Sequence, residues 1–194
     1  MNPPLIRSAD VSERAAIIDV ITLAFATDPL LRWVLPSPTA YLTACRDFVD
    51  AFGCNGLPHG TAFVIDDLSG AALWLQPGIE PDRARLGEVM GPLISPPVVA
   101  DFVAVVEQMG AYHPHEPHWY LPLIGVDPAR HGHGLGAALM RHAVERFDRE
   151  GAVAYLESSN QRNVSLYERH GFHALAAIQI GASPVVTPML RRPS

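Results

Sequence analysis

The chain predicts an α/β fold built on a mixed sheet, and three observations carry the prediction. Short apolar runs (TAFVI, AALWL, HWYLPLIGV, AVAYLES) alternate with stretches whose apolar residues recur at helical spacing. A glycine-rich loop joins one such run to a long amphipathic helix pattern. The 194 residues are 48% hydrophobic and 18% charged, enough for one compact core.

A strand over 4–8 leads into a helix that Asp10 caps, with Glu13 completing a capping box. Ala16, Ile17, Val20, Ile21, Ala24 and Phe25 share one face of that helix. It is expected to stop near Asp28-Pro29, because a residue before proline avoids helical backbone. A second helix is expected over 39–52. TAFVI, the turn Asp66-Asp67-Leu68-Ser69-Gly70 and AALWL read as a hairpin.

Two helices, over 81–90 and 97–109, are expected within the proline-studded region 77–117. The strand HWYLPLIGV follows, then a helix over 134–150 with Leu135, Leu139, Ala143 and Phe147 on one face and Gly151 as its terminator. The strand AVAYLES, a short helix over 163–170 closed by Gly171, and strands over 172–179 and 185–190 complete the order. There is no internal repeat and no long linker, so one domain over 1–194 is expected.

Charge and cysteine content exclude several classes. All 14 basic residues are arginine, which removes Schiff-base lysine chemistry and a phosphate-loop lysine. A net charge of −6 without a basic block argues against nucleic acid as a partner. No apolar run is long enough to span a membrane, and MNPPLIRSADVSER lacks a secretion pattern, so a cytoplasmic location is expected. Cys45 and Cys54 fit neither a metal nor a disulfide spacing and are expected as buried small hydrophobes.

The segment DPARHGHGLGAALM carries the most information. Gly132, Gly134 and Gly136 alternate where a strand gives way to a helix, so backbone N–H groups and the helix N-terminus can face a phosphate closely. Arg130 adds a full charge beside them. Gly132, Gly134 and Ala137 also satisfy a relaxed dinucleotide fingerprint, with Glu157 as the ribose acid. Against that reading, the strand ends near Val126, well before Gly132, and little chain follows Glu157 to complete a doubly wound domain.

With these motifs the sequence resembles the GNAT superfamily of acyl-CoA-dependent N-acyltransferases over nearly its whole length. HWYLPLIGVDPARHGHGLGAALM and LESSNQRNVSLYERHGF carry the resemblance most strongly. With AFATDPLLRWVLP and AALWLQPG, they look particularly like its puromycin N-acetyltransferase branch. The resemblance implies a mixed, mostly antiparallel central sheet flanked by helices, a CoA-binding core over about 118–173, and an acceptor-pocket insertion over about 77–117. It implies acetyl-CoA as co-substrate, no metal, a small-molecule amine as acceptor, and a monomer or homodimer.

Residue by residue, the family's pyrophosphate motif (Gln or Arg, two residues, Gly, one residue, Gly or Ala) begins at His131 and runs through Gly132, His133, Gly134, Leu135 and Gly136 to the helix at Ala137. Histidine at the first position departs from the pattern, and Arg130 is placed to compensate. Ile124, Gly125 and Val126 would offer main-chain groups to the pantetheine arm as an added strand does. Tyr167 would stand near the CoA sulfur as general acid. Asn163, on the same helical face, would hydrogen-bond the pantetheine or phosphate region.

Acyl transfer to an amine also needs a proton acceptor. Glu157, at the end of its strand, and His118, which titrates near neutrality, are the candidates; an already neutral amine needs neither. A structural ion pair with Arg162 is the plain alternative for Glu157. The segment His113-Pro-His115-Glu-Pro-His118 matches no zinc spacing and reads as a solvent-facing loop entering a strand. Acceptor contacts are expected from the Asp28–Trp33 region (28–33), from Trp74, from residues 77–117 and from Tyr120; Trp33, Trp74 and Trp119 could serve as aromatic walls, with core packing the favoured reading for each one. Three other functions stay open at this point: acetylation of a protein N-terminus or lysine, a catalytically inactive CoA sensor, and a nucleotide-dependent oxidoreductase.

Overall fold

A computed structural model describes residues 4–193. Its single sheet has seven strands in the order β1-β2-β3-β4-β5-β7-β6. These are β1 (Ile6–Ser8), β2 (Ala62–Ile65), β3 (Gly70–Leu75), β4 (His118–Val126), β5 (Val153–Ser158), β6 (His173–Ala174) and β7 (Thr187–Arg191). Among the described residues only the central β4–β5 pair is parallel; every other pair is antiparallel.

The helices are α1 (Arg14–Ala24), α2 (Pro29–Val34), α3 (Pro38–Gly53), α4 (Arg83–Met90), α5 (Pro96–Tyr112), α6 (Leu135–Glu150) and α7 (Gln161–Glu168). Among the described residues none is long and apolar enough to cross a membrane. Strands β2 and β3 are buried throughout because each face meets helices. Ala62, Val64, Ala71 and Leu73 face α1 and α3. Phe63, Ile65, Ala72 and Trp74 face α6, whose Leu135, Leu139, Ala143 and Phe147 form the stripe expected from its spacing. Cys45 and Cys54 are free and buried.

The Asp10–Glu13 capping box forms, on a 3₁₀ turn that runs into α1. Asp28-Pro29 does not simply end that helix. Asp28 is the N-cap of α2, accepting from Leu31 N–H, and Pro29 is its first residue. Proline at a first helical position costs no hydrogen bond, so the dipeptide that stops one helix starts the next. The strand expected over 172–179 also shortens, to β6 and an isolated bridge between Ile178 and Val186. After Ala174 pairs with Met189, the next partner is Pro188, which accepts from Leu175 N–H but has no N–H to return.

Candidate functional site

Strand β4 pairs with β5 only from His118 to Leu121. Pro122 comes next and brings no N–H to a ladder. On the other edge, β3 advances from Leu73 to Leu75 while β4 goes back from Leu123 to Tyr120, so β4 holds one extra residue there, a β-bulge. The bulge reverses the alternation: Leu121 joins the core under α6, and Leu123 the core under α1 and α3. Past this point the parallel strands part. A cavity of about 460 Å³ opens between Pro122, Ile124, Gly125 and Val126 on one side and Leu156, Glu157 and Ser158 on the other. Gly125 lets α1 close over β4, since a Cβ there would stand 2.6 Å from the Ala24 Cβ.

One end of the cavity is the glycine loop. Gly132 (φ +80°) and Gly134 (φ +74°) adopt left-handed backbone, and a Cβ at either would enter open space. Gly134 is the N-cap of α6 and offers no side-chain cap. The first intrahelical bond runs from Ala138 N–H to Gly134 O at 3.0 Å, which leaves the N–H groups of Leu135, Gly136 and Ala137 without helical partners at the cavity wall. Unpartnered donors, the positive end of a 16-residue helix and no side chain in the way fit a pyrophosphate.

Arg130 stands at the rim, 3.3 Å from Asp67 with both side chains about half exposed, so it keeps capacity for an anion. His131 turns its ring back to the Val126 carbonyl, Nε2 to O 3.2 Å. His133 Nδ1 meets the carbonyls of Arg130 and His131, each at 3.0 Å. Both histidines therefore brace the loop through their rings.

At the far end, α7 projects Asn163 and Tyr167 from one face into the same cavity. Asn160 caps this helix through Arg162 N–H. Tyr167 is only 5% exposed, and burial, with the Asp28 carboxylate nearby, raises its phenol pKa above the ordinary value. The phenol thus stays protonated across the physiological range. Asp28 is itself buried and accepts from Ser159 Oγ at 2.5 Å. Burial raises its carboxyl pKa; the Ser159 and Leu31 hydrogen bonds oppose the rise.

Glu157 lies between two cavities. Its side chain is 6% exposed and lines the first cavity, with Oε1 3.7 Å from His113 Nδ1. His113 Nε2 is 3.0 Å from His118 Nε2, and His118 Nδ1 is 2.7 Å from the Glu116 carbonyl. The His113 ring stands edge-on to Tyr120 and Tyr155, with centroids at 5.0 and 4.8 Å. Burial, then the Glu157 carboxylate, raises both phenol pKa values. Burial lowers that of His118. His113, His118 and Tyr120 line a second cavity of about 300 Å³, closed by residues 76–80 and 113–117.

Several expectations change here. His115, Glu116 and Pro117 are exposed as expected, but His113 is only partly so, because α5 delivers it onto the Tyr120–Tyr155 pair at the end of the sheet. The tryptophan walls do not form. Trp74 is fully buried against Phe147, and Trp119 stacks on Phe147 while donating to Glu150, so both belong to the core under α6. Trp33 packs against the core beneath α1 and α3 and lines neither cavity. Glu157 faces His113, and Arg162 lines the first cavity. Sequence reasoning missed the bulge, which proline inside HWYLPLIGV signals, and His113, for which no local signal exists.

Residues 96–172 match the family model of the acetyltransferase (GNAT) family. An uncharacterized N-acetyltransferase of Schizosaccharomyces pombe is 28% identical over 130 residues, which is 59% of this chain and 51% of that protein, so the chain spans about half the length of this relative. Among solved structures, one from Corynebacterium glutamicum described as histone acetyltransferase HPA2 and related acetyltransferase superposes with a TM-score of 0.71 at 25% identity, covering 100% of this chain and 98% of that one. Arylalkylamine N-acetyltransferase 2 of Aedes aegypti shares the fold with a TM-score of 0.67 at 12% identity, covering 100% of both chains. The family match ends at Phe172, just past α7, and so takes in the open edge of β4, the glycine loop and the Tyr167 helix together: it is this segment, residues 96–172, that matches the GNAT family.

Proposed function

We propose that this chain is an acetyl-CoA-dependent N-acetyltransferase acting on the primary amine of a small molecule, by direct attack with both substrates bound. The observation that carries the reading is the continuity of one cavity from the bare amides of α6, along the unpaired edge of β4, to Glu157 and Tyr167. Acetyl-CoA bound there supplies an acetyl thioester. Its pyrophosphate suits the amides of residues 132–137 with Arg130 beside them, and its pantetheine arm suits the open edge at Ile124, Gly125 and Val126 with Asn163 opposite.

The chain's own groups then divide the proton work. Tyr167 holds a proton for the departing sulfur, and its burial keeps that proton in place. Glu157 receives a proton from the ammonium form of the acceptor. The β4 edge presents fixed dipoles where charge develops on the carbonyl. The acceptor approaches through the second cavity, where the two ends of the 77–117 region, His118 and Tyr120 form the walls. The whole chain acts as one domain, with its CoA-binding core over about 118–173.

The puromycin N-acetyltransferase-like motifs and the arylalkylamine acetyltransferase among the structural neighbours both favour a small amine over a protein acceptor. Calorimetric titration with acetyl-CoA, with NAD in parallel, tests the reading. Saturable acetyl-CoA binding without NAD binding, followed by thiol release in a screen of small amines, is the expected result. NAD binding in place of acetyl-CoA overturns it.

A further inference from the structure

The tautomers of His118 and His113 follow from one carbonyl. The Glu116 carbonyl oxygen only accepts, so His118 Nδ1, 2.7 Å away, carries a hydrogen. Neutral His118 then has its lone pair on Nε2, and His113 Nε2, 3.0 Å from it, must donate. Neutral His113 is left with a lone pair on Nδ1, which faces Glu157 Oε1 at 3.7 Å. Two acceptors thus confront each other, and one proton placed between them completes the network. The ring cannot swing away, because Tyr120, Tyr155 and His118 all stand edge-on to it.

Resting on the acetyltransferase reading above, we propose that His113 stores the proton which Glu157 takes from the acceptor amine, and that His118 is the positioning residue that fixes His113 in the receptive tautomer. The ammonium gives one proton to the Glu157 carboxylate and becomes the neutral nucleophile. That proton passes from Oε1 to Nδ1 of His113, restoring the carboxylate and forming an imidazolium. The imidazolium sits between the Glu157 carboxylate and the lone pair of His118. The imidazolium shares its Nε2 proton with the His118 lone pair, and the pair gives up one proton to water in the second cavity, which both rings line. No electron changes hands, and the net transfer is one proton from ammonium to water.

The titratable and charged groups around the pair come from every side. Tyr120 and His118 belong to β4, Tyr155 and Glu157 to β5, and Glu80, Glu116 and His115 to the loops around the second cavity. Arg83 of α4 acts on Tyr120. The two phenols remain neutral because burial and Glu157 both oppose their ionisation, so the carboxylate and the two rings are the groups that exchange protons inside the cluster.

Long-range ¹H–¹⁵N correlation of the histidine rings tests the arrangement without turnover. Near neutral pH the expected spectrum shows the Nδ1–H tautomer for His118 and the Nε2–H tautomer for the neutral fraction of His113. The opposite tautomer at His113 overturns the proposal. Activity supplies the second arm. His113→Ala should lower kcat by about 10²-fold, leave the KM for acetyl-CoA unchanged and move the acidic limb of the pH profile, with partial recovery when imidazole is added.

His118→Gln, whose amide oxygen still accepts from His113, should retain more activity than His118→Ala. An active wild-type protein whose His113→Ala variant keeps its rate and pH profile overturns the relay alone. A wild-type protein that binds acetyl-CoA and acetylates no amine overturns the acetyltransferase reading, and the relay with it.

Discussion

The Asp28 carboxylate accepts a 2.5 Å hydrogen bond from the Ser159 hydroxyl, joining residues 131 positions apart across the cleft. One end of the bond caps α2 and the other follows directly on β5, so it ties the N-terminal helices to the strand that carries Glu157. Because Asp28 is 8% exposed, its partners matter more than they would at the surface.

Burial raises the Asp28 pKa, and the sign of the consequence follows. A carboxyl group whose folded pKa lies above its unfolded value of about 3.9 contributes stability that is complete below that value and is lost as pH rises through the folded pKa. Asp28→Asn should therefore match the native protein most closely in acid, and its Tm should gain on the native value as pH rises. Thermal unfolding of both proteins from acid to neutral pH checks this. Ser159→Ala, which leaves a buried oxygen short of a donor, should cost about 1–3 kcal/mol near neutral pH by urea unfolding.

Tyr167→Phe keeps the ring and removes the proton. At saturating acetyl-CoA the rate should fall by about 10²- to 10⁴-fold while acetyl-CoA affinity stays within a factor of about two. Since burial raises the native phenol pKa, any basic limb of the native profile should persist unchanged in position in the residual activity of the variant. Steady-state kinetics across pH, paired with calorimetry, reads both.

Gly134→Val places a side chain in the space facing the α6 amides and forces left-handed backbone on a β-branched residue. Acetyl-CoA affinity should fall by about 10²-fold or more, or roughly 3 kcal/mol. Gly60→Val is the control: its φ is +68° with equally open space, but it lies outside the cleft. It should lose stability in the same way and bind acetyl-CoA as before. Equal affinity losses in the two variants would refer the effect to backbone strain instead.

Gly125→Val drives a branched side chain into Ala24 and Ile21 of α1. Overpacking of this kind should cost about 1–3 kcal/mol of stability, and Ala24→Gly in the same chain should recover part of it. Denaturant titration of the single and double variants measures the recovery. An additive result would mean that α1 relaxes away from β4 without hindrance.

The order of strands and helices was legible in the sequence because its signals are local. The Asp10–Glu13 box, the stripe from Leu135 to Phe147, the left-handed Gly151 and Gly171, and the alternating glycines before α6 each act within a few residues, and each recurs in the structure. The same locality misled at Asp28-Pro29, where a stop signal and a start signal share two residues. At the tryptophans the favoured core reading holds for Trp74 and Trp119, although aromatic character alone does not separate a core side chain from a cavity wall: strand face and sheet position place both under α6.

The amino-acid sequence by itself determined which segments become strands and helices, where glycine bares the amides of α6, and that Asn163 and Tyr167 share a helical face, since backbone propensity and short periodicities act along the chain. Only the tertiary structure decided that β4 parts from β5 at Pro122, that His113 meets Glu157, and that Asp28 reaches Ser159. These contacts join residues tens of positions apart, and their distances follow from strand register, the bulge in β4 and the seating of α5, none of which any local spacing encodes.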